Sequence, residues 1–188
     1  MRSAGVGRGI ALAISFLLVG VAGGNAGHAL AGLEGHGVRS AVLATVDATG
    51  VPESSYAPCV IGDAGEIYVF VSMLARHTGN MLKQGGVSLM FIEEESSCSN
   101  IFARRRLVYQ CGAEVVARDA ETWPAVMTRF DERFGKFMQT LKALPDFQLF
   151  RLAPRSGSYV TGFGKAYRLT GKDLGQVQHI GPDDLDNG

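Results

Sequence analysis

The sequence predicts a mainly β, α+β domain in which a barrel-like sheet of six or seven strands carries one long amphipathic helix. Three observations predict it. From Ser40 onward, apolar runs of strand length recur between turns rich in Gly, Pro, Asp and Ser. Two of those runs, Ile67–Val71 and Val87–Ile92, are apolar on both faces and so need cover on both sides, as in a small closed barrel with a helix or a partner subunit outside. Asp119–Leu144 repeats apolar residues at spacings of three and four over several turns.

The 188 residues suffice for one domain with a substantial core and are too few for two comfortable ones. The 18 Lys and Arg balance the 18 Asp and Glu, so no basic excess points to nucleic acid. The one basic cluster, Arg104-Arg105-Arg106, sits between apolar residues rather than in a tail. Cys59, Cys98 and Cys111 are isolated and odd in number, without CxxC or Cys/His spacing, which argues against a zinc site or a disulfide framework.

Residues 1–31 stand apart from the domain at 32–175. Arg2 and Arg8 precede the apolar segment Ile10–Ala22, and Ala29-Leu30-Ala31 follows, which is the layout of a secretory signal peptide. An N-terminal helix of the domain and a start codon placed too far upstream are the alternatives. The apolar segment is too short for a comfortable membrane span.

Along the domain, Ala41–Val46 and Ser54–Ile61 form a hairpin around Asp47–Pro52, and Gly62–Gly65 leads to the strand Glu66–Val71. Ser72–Lys83, read S-M-L-A-R-H-T-G-N-M-L-K, is a polar helical crossover to the strand ending at Ile92. Its concentration of donors at a strand-to-helix junction suits an anion, because the first N–H groups of a helix lack internal partners. A solvated helix capped by Ser72 is the plainer alternative. After the acidic loop at Glu93–Ser97, Asn100–Ala103 reads as one helical turn. Arg106–Ala117 alternates Leu107, Tyr109, Cys111, Ala113 and Val115 at period two. Arg104 and Arg105 either form a fringe pairing with Glu93–Glu95 or meet an anionic ligand; Arg106, next to the strand, is the better ligand contact.

In the long helix, Trp123, Val126, Met127, Phe130, Phe134, Phe137, Met138, Leu141 and Leu144 form an apolar stripe that reads as core rather than cofactor wall. Thr122 is its expected cap, with Pro124 in the first turn. Phe147–Leu152 and Ser158–Leu169 flank a hairpin-type turn at Ala153–Gly157, and Gly162-Phe163-Gly164 interrupts the second of these strands. The tail at 176–188 reads as irregular and acidic, with His179 its ligand-type residue. Spacing shows no catalytic dyad, activated nucleophile or metal cluster; His77 alone reads as a structural or ligand-orienting histidine.

The succession A-T-V-D-A-T-G-V-P (44–52), S-Y-A-P (55–58), S-M-L-A-R-H-T-G-N-M (72–81), F-A-R-R-R-L (102–107), E-R-F-G (132–135), D-F-Q-L-F-R-L-A-P (146–154) and Y-V-T-G-F-G-K-A-Y (159–167) resembles the haem-utilisation branch of the pyridoxamine 5'-phosphate oxidase-like, FMN-binding split-barrel superfamily. The resemblance runs from about Ala41 to His179. It implies a six-stranded antiparallel split β-barrel and a homodimer with ligand sites at the subunit interface, holding flavin or haem. It also implies a cytoplasmic location, whereas residues 1–31 look exported.

Haem-degrading members of that branch carry an axial histidine a few residues past the position matched by His179. Here the loop reads G-P-D-D-L-D-N-G (181–188), and 136–140 lacks the carboxylate that partners that ligand in some members. The resemblance with these departures implies an FMN-binding oxidoreductase-like protein, with Ser72, His77, Thr78, Asn80 and Arg106 at the flavin phosphate or ribityl groups. The alternatives are a haem-binding or haem-degrading protein with His77 or His179 at the iron, and a split-barrel dimer without cofactor.

Overall fold

The computed structural model describes residues 39–63, 65–181 and 184. The signal-like segment at 1–31 and most of the loop at 181–188 lie outside the described residues. Eight strands form one antiparallel sheet: β1 (Ser40–Val46), β2 (Pro52–Ile61), β3 (Ile67–Ser72), β4 (Gly86–Ile92), β5 (Arg106–Val116), β6 (Phe147–Gly162), β7 (Lys165–Thr170) and β8 (Gln176–Ile180). Their order is β3-β2-β1-β4-β5-β6-β7-β8, and β3 also pairs with β6. That closure makes a six-stranded barrel from the first six strands of the order, with β7 and β8 as a wing outside it.

The first half of β6 (147–152) lies between β3 and β5, and its second half (157–162) between β5 and β7. The wing therefore takes over the edge where β3 ends. The sixteen residues of β6 form one strand, not the predicted hairpin around Ala153–Gly157. Pro154 and its polar neighbours carry turn chemistry, but the register shifts there, Gln110 facing Ser156 and Cys111 facing Pro154. A bulge accommodates the proline, which cannot donate to a ladder, without turning the chain. The turn comes instead at Phe163-Gly164, where Gly164 has φ +67 and joins β6 to β7.

The barrel interior is filled by alternate residues of every barrel strand, among them Leu43, Ile67, Val69, Leu89, Leu107, Phe150 and Leu152. A second core lies outside β3 and β6. Tyr68, Phe70 and Leu149 point away from the barrel axis and pack under helices α2 (Trp123–Phe134) and α3 (Phe137–Ala143), against Val126, Met127, Phe130 and Met138. This covers β3 on both faces, as its composition requires. β4 differs: Val87, Leu89 and Phe91 are buried, whereas Met90 is only half-buried and Ile92 is exposed on the outer side.

The predicted single helix over Asp119–Leu144 is two helices. Gly135, at φ +72, ends α2, and the stripe resumes in α3. The stripe is core, as read, except at Phe137 and Leu144, which are exposed because the break rotates them away. Thr122 does stand at the N-cap, but its side chain makes no capping bond. Lys142 Nζ, 2.6 Å from Asp131 Oδ2, ties α3 back to α2. Arg118 donates to the carbonyls of Lys142 and Leu144, satisfying acceptors left open at the end of α3.

The tail, expected to be irregular, begins with β8, which pairs with β7 from Thr170↔Gln176 to Ala166↔Ile180. Asn100–Ala103 is the expected helical turn, with the Asn100 side chain accepting from Phe102 N at 3.0 Å.

Phe130 is buried between Phe70 and Phe134, at ring separations of 6.3 and 5.8 Å. Phe130→Ala is expected to cost about 3–5 kcal/mol of stability through the cavity it leaves. Phe137→Ala, on the exposed side, is expected to change stability by no more than about 0.5 kcal/mol. Urea unfolding of the two variants checks the contrast.

Candidate functional site

Helix α1 (Arg76–Gln84) follows β3 through the turn at 73–75 and packs across one end of the barrel, where β1 hands over to β2. It is bound there through its polar side chains. His77, Thr78, Asn80 and Met81 are all buried. Thr78 Oγ1 donates to the carbonyl of Ser72 at 2.7 Å, and Asn80 Nδ2 donates to Thr45 Oγ1 at 3.0 Å. The Ser72 hydroxyl donates to Asp146 Oδ2 at 2.5 Å and accepts from Leu74 N at 3.1 Å. Ser72 is therefore the last residue of β3 and organises the turn. Ala75, not Ser72, stands at the N-cap of α1, without a side-chain cap.

Arg76, the most exposed polar group of the helix start, reaches back to Glu53 Oε2 at 3.1 Å and lies 3.9 Å from Asp47 Oδ2. The contact with Glu53 is an ion pair without hydrogen-bond alignment, since Glu53 Oε2 is buried with no hydrogen-bond partner among the described residues. The Asp47 carboxylate is held by Thr49 Oγ1 and the amides of Thr49 and Val51, and these bonds pull it below the usual carboxylate range. His77 is the exception among the buried donors: its Nε2 has no partner among the described residues. Burial pushes its pKa down from 6.5, only partly opposed by the nearby Glu53 carboxylate, so the ring is neutral at pH 7.

Arg106 is not brought to this cluster. It opens β5, while α1 meets β5 near its middle, where Ala113 N donates to Gly85 O. From Arg106 to Gly112 the strand spans roughly 20 Å at about 3.3 Å per residue. The cross-strand row Arg106–Val160–Ala166–Ile180 places Arg106 at the wing end instead, one row from Leu107–Tyr159–Tyr167–His179. Its neighbours form the fringe expected of them: Arg104 Nε donates to Glu93 O at 2.7 Å, and the Arg105 guanidinium pairs with the Glu93 carboxylate. That contact with Arg105 holds Glu93 below the usual carboxylate range.

His179 is exposed on β8. Its ring stands edge-on to Tyr167 at 5.4 Å, with Nε2 3.1 Å from the carbonyl of Gly164. A carbonyl accepts, so Nε2 donates in this contact and Nδ1 lies outside it. Beside it, Phe163 is exposed at the β6–β7 turn.

A family model described as pyridoxamine 5'-phosphate oxidase matches residues 33–161. The chain belongs to this family. The heme oxygenase HutZ of Vibrio cholerae is 45% identical over 138 residues, which cover 73% of this chain and 78% of that protein. A crystal structure of HutZ, described as a heme storage protein, superposes with a TM-score of 0.59 at 44% identity, over 62% of this chain and 82% of the other. ChuZ of Campylobacter jejuni superposes at 0.69 with 30% identity; the match covers 80% of this chain but only 63% of ChuZ. An FMN binding protein from Nostoc punctiforme, 15% identical with a TM-score of 0.57, shares the fold.

Of the residues expected at a flavin, Ser72, Thr78 and Asn80 make hydrogen bonds within the chain. His179 presents an exposed imidazole with one nitrogen against a carbonyl, a donor type that haem iron accepts. His77 has the right chemistry but is only 7% exposed on the inner face of α1, which leaves no room for a macrocycle. Sequence reasoning missed Thr45, Glu53 and Asp146, the partners of the α1 donors. The local signals were Thr45 in the A-T-V-D block and Asp146 at the head of the D-F-Q-L-F block.

Because the folded-state pKa of His77 lies below its ordinary 6.5, its neutral form favours folding. Stability is expected to be complete above pH 6.5 and to fall as pH drops below it, where the unfolded chain takes up the proton first. His77→Gln is expected to remove that part of the pH dependence, read from urea midpoints between about pH 5 and 8.

Proposed function

We propose that this protein binds haem and acts in haem utilisation, with breakdown of bound haem as its activity. The observation that carries the reading is the 45% identity to a protein named heme oxygenase over most of both chains. His179, through Nδ1, is the iron ligand of this reading, with Tyr167 against its ring and the Gly164 carbonyl fixing its tautomer. Phe163 supplies exposed apolar surface at the same hairpin. When bound, haem supplies a redox-active iron. The protein's part is to hold the imidazole oriented through the Gly164 carbonyl and the Tyr167 ring.

The working unit of this reading is a homodimer. The row Tyr56–Val42–Met90–Val108 crosses β2, β1, β4 and β5 on the outer face that α2 and α3 leave bare, and Tyr56 is 69% exposed. A second copy would cover it.

Haemin added to the purified protein is expected to give a Soret band shifted from that of free haemin, and ascorbate in air is expected to bleach it. His179→Ala is expected to weaken haem binding on the order of 10- to 100-fold, whereas His77→Gln leaves it intact. Purified protein that carries flavin bands and takes up no haemin would sink the reading. Sedimentation at falling protein concentration tests the dimer, which a monomer at every concentration would refute.

A further inference from the structure

Two buried polar groups face the barrel interior where β5 and β6 meet. Tyr109 is 0% exposed and Tyr159 2%, and neither hydroxyl has a hydrogen-bond partner among the described residues. The register sets Leu107 opposite Tyr159 and Tyr109 opposite Gly157, so the two tyrosines are diagonal neighbours on one inward face. The Tyr109 ring is held in place. A Cβ on Gly157 would come within 2.8 Å of both Tyr109 Cδ1 and the Val108 carbonyl, so the ring lies directly over the bare glycine backbone. The charged groups facing Tyr159 are Glu93 and Arg105, and these are committed to each other.

Two buried hydroxyls without partners each carry an uncompensated desolvation cost, and phenylalanine would fill the same space without it. Both phenols stay protonated at neutral pH, since burial pushes both up, Tyr159 to about 12. Each therefore offers one O–H donor and acceptor lone pairs. A shared partner must be small, neutral and able both to donate and to accept. We propose that the barrel holds one buried water bridging the Tyr109 and Tyr159 hydroxyls. Such waters normally satisfy polar groups that the chain itself leaves open.

A crystal structure of the full chain at a resolution that shows ordered solvent is expected to place water within hydrogen-bond distance of both hydroxyls. Tyr109→Phe and Tyr159→Phe are each expected to lower the folding equilibrium constant about 5-fold or more. The double variant is expected to lose less than the product of the two, because the water then departs with both partners. Singles that leave the constant unchanged or raise it would overturn the proposal, as would density at only one hydroxyl, density larger than water, or hydroxyls turned onto protein carbonyls.

Discussion

Six residues of β3, Ile67–Ser72, pair with Phe147–Leu152 of β6, and the barrel, the outer core and the placement of α1 depend on that seam. Without it the sheet would be open, with two long edges and a core exposed along one face. With it, β3 becomes a wall between two cores: Ile67, Val69 and Val71 fill the barrel, and Tyr68 and Phe70 hold α2 and α3 outside. The seam also delivers Asp146 to the end of β3, where it takes the Ser72 hydroxyl and fixes the turn into α1. The position of α1 is thus set by a pairing between residues far apart in sequence.

This long-range dependence governs what the sequence disclosed. β3 was legible because a short run apolar on both faces, bounded by turns, must be covered on both sides, and β5 because alternation is local. β6 was not, since Pro154, Arg155, Ser156 and Gly157 have turn chemistry and only neighbours on both sides hold them extended. β8 was not, because Gln176-Val177-Gln178-His179-Ile180 has no buried face to announce it and rests on backbone pairing with β7. The break at Gly135 was visible as a glycine but not as a left-handed one.

The site divides along the same line. The density of polar side chains in Ser72–Lys83 is a true feature of the chain, but its meaning lies in partners supplied from elsewhere. Thr45 from β1 and Asp146 from the start of β6 turn apparent ligand donors into fasteners. Arg106 was grouped with them by motif, and β5 carries it to the other end of the barrel. His179, the least conspicuous of the candidates, lies on the element whose existence was missed.

The way β7 and β8 are attached has a further consequence. They pair with the barrel only along residues 157–162 of β6, and β8 is exposed along most of its length. Leu169 of β7 and Leu174 after it are buried in the core, but opening β8 alone exposes little apolar surface, so its amides are protected by a small local free energy, while those of β3 and β6 at the seam open only with the whole domain. Hydrogen exchange would therefore divide this one continuous sheet into a fast and a slow part, and the histidine assigned to the ligand sits on the fast one.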